Sequence, residues 1–176
     1  MCKFRDLRAE EIECRVQSVK PNGLVLLLYK DARVDMNILD ETVGSSNWQR
    51  EHYECKGNLF CRVGIDIGTH EGKGERWVWK SDCGTESNTE AQKGEASDSF
   101  KRACFNWGIG RELYTAPFTW ISGEKCNIVD GKNGSKQCYD KFIVEKIIIE
   151  NKQITALAIW NVSKNCRAFI YQKDKQ

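Results

Sequence analysis

The chain has 176 residues, enough for one ordinary domain with a real core. Hydrophobic residues at 40% and charged residues at 30% describe a soluble globular protein. A formal net charge of +2 is too small to argue for a nucleic-acid partner by itself, so any basic groove must come from local clustering. The nine cysteines include no Cys-x-x-Cys and have only His52 and His70 beside them, which leaves no four-ligand zinc pattern. Their odd count and irregular spacing argue for reduced thiols in a cytosolic setting. Met1 to Arg8 lacks the apolar core of a signal peptide, and the longest apolar run, Leu24 to Tyr29, is too short to span a membrane. A soluble intracellular protein is expected. The six tryptophans fit core, interface or base-stacking roles.

In chain order, Leu7 to Lys20 is predicted as a first helix, with Leu7, Ile12, Val16 and Val19 on its apolar face and Pro21-Asn22-Gly23 ending it. Leu24 to Tyr29 is expected to be a strand buried on both faces, a buried helix segment being the alternative. A short helix follows Ala32, turning Val34, Ile38 and Leu39 to the core and stopping by Gly44. Three strands come next: Trp48 to Lys56, Leu59 to Thr69 and Glu75 to Asp82, the last with Trp77 and Trp79 on one face. Short turns between them imply an antiparallel meander.

The stretch Glu90 to Tyr114 contains no proline and can run as a helix up to the glycines of WGIG. Ala96, Phe100, Ala103, Cys104 and Trp107 give it an apolar stripe, with Lys101 and Arg102 on the flanks and Gly108 suited to the C-cap. Thr85, Ser87, Asn88 and Thr89 are candidate N-caps. Spacing alone describes an amphipathic core helix with solvated cations. After Pro117 come a polar turn, Asp130 to Lys136, and strands at Phe142 to Glu150, Gln153 to Trp160 and Ala168 to Tyr171, the first two joined tightly at Glu150 to Lys152. The expected fold is α+β: an antiparallel β-meander packed on a long helix, with a C-terminal β extension. It is read as one domain over 1–176, a β/α core at 1–116 and a β-rich extension at 117–176.

Two segments carry a family resemblance. SDSFKRACFNWGIGRELY is similar to the closing helix of the Rad-fifty-two family of single-strand annealing proteins, including phage recombinases of Sak type. ARVDMNILDETVGSSNW resembles the family segment in which an arginine begins a short helix, and a glycine and tryptophan lead into the next strand. They occur in the family's order with three strand-like segments between, and the resemblance covers roughly Leu7 to Tyr114.

The resemblance implies single-stranded DNA binding and ATP-independent annealing in homologous recombination and repair. It implies no enzyme activity and no cofactor. A homo-oligomeric ring or helical array is implied, with an exonuclease or a single-strand-binding protein as candidate partner, in the cytoplasm of a bacterial host if the source is a phage. Arg33, Lys101 and Arg102 match family positions that line the DNA groove. Lys93 matches another basic position, although it lies seven residues before Phe100 and so points close to the apolar stripe. The family commonly has a further cation where Phe105 stands here. Phe105 projects between Lys101 and Arg102 around the helix, so both a DNA contact and a contact to a neighbouring subunit are open.

Other chemistry has less in its favour. No G-x-x-x-x-G-K-[ST] motif occurs, and HEGKGE and DGKNGSK read as hairpin turns, which argues against an ATP-driven engine. A metal nuclease could be assembled from Asp66, Asp82 and Glu86 with Lys80, and a thiol enzyme on Cys83 or Cys104 has no histidine nearby in sequence. A single-strand-binding protein that does not anneal would use the same cations.

Overall fold

A computed structural model of the chain describes residues 3–70, 72–85 and 91–174, with only the backbone described at 69, 70, 91 and 133. In order, the elements are β1 (Glu13–Lys20), β2 (Gly23–Tyr29), α1 (Ala32–Val43), β3 (Trp48–Cys55), β4 (Asn58–Asp66), a single turn α2 (Ile67–His70), β5 (Trp77–Cys83) and α3 (Ala91–Trp107). They are followed by β6 (Thr119–Ser122), β7 (Val129–Asp130), β8 (Lys136–Gln137), β9 (Phe142–Glu150), β10 (Gln153–Asn161) and β11 (Cys166–Gln172), and short 3-10 turns fill several connections. The architecture is α+β. Among the described residues no helix is long and apolar enough to cross a membrane.

The chain forms two compact units. One comprises the segment through Arg5 and Ala32–Arg111. Its core is the antiparallel meander β3-β4-β5. Lys56 and Gly57, both at positive φ, form the two-residue turn between β3 and β4, a geometry that matches the strands' right-handed twist. On one face of β4, Cys61, Val63 and Ile65 are fully buried, and α3 packs against β4 and β5 with Phe100, Ala103 and Cys104, equally buried. Trp48 stacks on Phe100 at 6.2 Å between ring centroids. Close approach depends on Gly84, where a Cβ would meet the Glu95 carbonyl oxygen at 2.2 Å. Helix α3 ends as its sequence predicts, with Gly108 at φ +91° and the Ile109 N–H reaching back to the Cys104 carbonyl. The chain then resumes as a 3-10 turn, Arg111–Thr115, so the helix is shorter than the stretch Glu90 to Tyr114. The N-cap candidates Ser87, Asn88 and Thr89 lie outside the described residues. Thr85 lies within them and donates to Asp98 through both its N–H and its hydroxyl.

The other unit comprises Asp6–Asp31 and the chain from Glu112 onward. Six antiparallel strands run in the order β11-β10-β9-β1-β2-β6, with β7-β8 as a separate ribbon. Strands β6, β9, β10 and β11, all after Pro117, therefore share a sheet with the first hairpin. Strand β9 has the predicted bounds, and Asn151 and Lys152, both at positive φ, make its tight turn into β10.

Two sequence expectations fail here. Leu7 to Lys20 is not a helix: Ala9–Glu11 is one 3-10 turn and Glu13–Lys20 is strand β1. Helical spacing of its few apolar residues was outweighed by pairing with the apolar β2, and Pro21-Asn22 turns a hairpin in which Lys20 pairs Gly23. Strand β2 is not buried on both faces either. Leu24 and Leu26 are buried, whereas Leu27 is 46% exposed and Tyr29 36%. A strand in a sheet open on one side alternates even when its sequence does not.

Candidate nucleic-acid interface

Every residue singled out from the sequence as a DNA contact lies in the helix-bearing unit. Arg33 is exposed in the first turn of α1, and α1 packs on α3. On α3, Lys101, Arg102 and Phe105 are half-buried, flanking the buried set Ser99, Phe100, Ala103 and Cys104. Lys93 is exposed. It lies in the first turn of α3, before the helix's buried stretch begins at Ser99, so its nearness in angle to Phe100 does not bury it.

The meander adds cations that helical reasoning missed. In the β3-β4-β5 register, Arg50, Val63 and Lys80 form one row on the helix-facing side. The Arg50 guanidinium carbon sits 4.8 Å from the Phe100 ring centroid, and Lys80 Nζ sits 4.6 Å from that of Trp107. Lys80 also donates to the Asn106 carbonyl at 2.8 Å. Arg111 completes the group from beyond the helix end, donating to the Phe105 carbonyl at 3.0 and 2.7 Å and to that of Asn106 at 3.2 Å. Lys80 and Arg111 thus meet the exposed carbonyls of the last turn, the negative end of the helix dipole. The available clue was the alternation along β3 and β5, which gives Arg50 and Lys80 the parity of the strands' inward residues.

Arg102 differs from these. Its Nε lies 3.3 Å from Asp82 Oδ1, with side-chain exposures of 39% and 29%. The same carboxylate oxygen accepts the Cys83 N–H at 2.9 Å. Among the described residues Arg50, Lys80, Lys101 and Arg111 face no carboxylate. A cation resting on a ring or a carbonyl keeps its full charge, whereas one against a carboxylate is largely neutralised. The cluster around α3 is therefore locally positive in a chain of net charge +2.

The carboxylates weighed for catalysis make structural contacts where they are described. Asp66, 3% exposed, accepts the Gly68 and Arg76 N–H groups on Oδ1 at 2.9 and 2.8 Å and so closes the loop between β4 and β5. Asp82 is committed to Arg102 and Cys83, and Glu86 lies outside the described residues. Among the described residues no group of three or more His, Cys, Asp or Glu side chains is placed to hold a metal ion. Cys104, on the inward face of α3, is fully buried. Burial pushes the neighbouring Cys61 thiol up to about 11, with Arg50 acting against the shift, so it stays protonated at neutral pH.

The chain matches the family described as Rad52/22 family double-strand break repair protein over residues 5–128. No curated protein and no solved structure matches it. The matched span is 124 of 176 residues and includes α1, the meander, α3 and the whole cation cluster. This chain belongs to the Rad52/22 family of double-strand break repair proteins.

Proposed function

We propose that the chain binds single-stranded DNA along α3 and anneals complementary strands without ATP, as a Sak-type recombinase of this family. The observation that carries the reading is the group Arg50, Lys80 and Arg111 around α3, held on aromatic rings and carbonyls so that its charge stays available to phosphates. Arg33, Lys93, Lys101 and Arg102 are the proposed phosphate contacts, with Phe105 against a base, a sugar or a neighbouring subunit. Residues 1–176 act together as one annealing domain. Annealing needs no fuel, because duplex formation is downhill once strands meet. The protein's contribution is alignment: it holds one strand by its backbone and lowers the repulsion of the incoming one. A single copy offers few contacts, so many copies act along a strand, in a ring or helical array built by a head-to-tail interface.

The test mixes complementary labelled oligonucleotides with the protein, with and without Mg²⁺. Accelerated duplex formation without ATP supports annealing, coating without acceleration supports a plain single-strand-binding protein, and cleavage supports a nuclease. If about four cations meet phosphates, log affinity falls with log salt at a slope of roughly −3, about 0.7 per phosphate. Arg33→Ala and Lys101→Ala/Arg102→Ala each weaken binding and flatten that slope while light scattering shows unchanged assembly. Folded variants with wild-type binding and slope overturn the assignment.

A further inference from the structure

Resting on that reading, we infer that Asp82 is a built-in competitor for the DNA backbone: it occupies the Arg102 guanidinium until a phosphate displaces it. Three observations carry this. Arg102 lies against a carboxylate, at 3.3 Å, while Lys101 beside it faces none among the described residues. The carboxylate is fixed rather than incidental, because Asp82 Oδ1 also accepts the N–H of Cys83 on the same strand. The pair is loose rather than locked: Arg102 Nε is buried yet makes no hydrogen bond at 3.3 Å, and the two side chains taken whole are 39% and 29% exposed, so solvent reaches part of each.

The chemistry of the exchange is matched. A guanidinium binds carboxylate and phosphate with the same fork of N–H donors. An exposed ion pair is worth little in water, so a phosphate arriving on a strand already held by neighbouring cations wins Arg102 at small cost. Asp82 touches no nucleic acid in this scheme. It is a positioning residue that acts through Arg102. Two consequences follow: in the resting protein Arg102 is not displayed beside Lys101 as a free charge, and each bound strand is held less tightly than it could be. Weaker holding suits a protein that must give its strand up to a duplex.

The experiment measures binding of a fluorescent oligothymidylate by anisotropy between 50 and 300 mM NaCl. It compares wild type, Asp82→Asn, Arg102→Ala and the double variant. Asn keeps a side-chain oxygen for the Cys83 N–H, and Asp82→Ser serves as a second carboxylate-free variant should Asp82→Asn fold poorly. Asp82→Asn is expected to tighten binding roughly two- to fivefold at low salt. It also steepens the salt slope by about 0.7, since Arg102 then carries a counterion for the phosphate to release. A merely structural role for Asp82 would not move that slope. In the Arg102→Ala background the gain falls to less than half. Unchanged or weaker binding by Asp82→Asn, or a gain that persists in full without Arg102, overturns the inference while leaving the interface intact. Wild-type protein that does not bind the oligonucleotide, or binds it as well after Arg102→Ala, overturns the reading of α3 itself.

Discussion

Three cations around α3 and three in the six-stranded unit rest on different partners, although the helix-bearing unit also pairs Arg5 with Glu41 and Arg62 with Glu51. Around α3, Arg50 rests on Phe100, Lys80 on Trp107 and the Asn106 carbonyl, and Arg111 on the carbonyls of Phe105 and Asn106. In the six-stranded unit, Arg167 meets Glu145 at 2.6 Å, Lys152 meets Asp6 at 2.8 Å and Lys136 meets Asp130. One arrangement stores positive charge and the other cancels it. A net charge of +2 over the whole chain hides this, because the sum does not distinguish a cation on a ring from a cation on a carboxylate. A surface suited to an anion is recognised by what its cations rest on.

The comparison breaks most severely at Phe100, which is fully buried, stacked on Trp48 and covered by Arg50. Phe100→Ala should cost about 3–5 kcal/mol in a urea titration and abolish the cation frame with it. A loss below about 1 kcal/mol would mean that α3 is not anchored on the meander as described.

Asp140 sharpens the contrast from the other unit. Its carboxylate accepts the Asn127 N–H at 2.8 Å, Asn127 Nδ2 at 2.9 Å and Asn161 Nδ2 at 2.7 Å. Desolvation pushes its pKa up, but these donors outweigh it and hold the group below its ordinary value of 3.8. The stability it supplies is therefore present above that ordinary value and is lost as pH falls through the lowered one. Asp140→Asn should cost about 1 kcal/mol at pH 7, solvent screening keeping the figure low. It should also flatten the acid limb of a plot of Tm against pH, and identical acid limbs for the two proteins would refute it.

The smallest effects separate stored from cancelled charge. Lys80→Met should lower the salt slope of single-strand binding by up to about 0.7. Arg167→Gln/Glu145→Gln, which removes a neutral pair, should leave slope and Tm where they were. Equal changes in the two variants would show that the placement of charge, as distinct from its total, has no bearing on binding.

Local patterns were legible where one element decides its own conformation. The stripe Phe100, Ala103, Cys104 with Gly108 after it specified α3 and its end, and the strand-like run Phe142 to Glu150 with its tight turn at Glu150 to Lys152 specified β9. The positions of Lys101, Arg102 and Phe105 beside the buried stripe were legible for the same reason, since a helix fixes which side chains flank it. Glu13 to Lys20 was misread because its spacing satisfies a helix and a strand about equally, and only pairing with Gly23 to Tyr29 chose between them.

The sequence by itself determined the meander, the helix that follows it and the family to which the chain belongs, because those rest on short-range periodicity, turn residues and motif order. Tertiary structure alone decided which cations rest against a carboxylate and which do not. Arg50 and Lys80 lie thirty residues apart with β4 between them, and their common row comes from strand register. Asp82 looked like a metal ligand or a turn residue until α3 brought Arg102 to within 3.3 Å of it. A charge's effect depends on its neighbours in space, and for these residues the neighbours are supplied by strand pairing and helix packing across long stretches of chain.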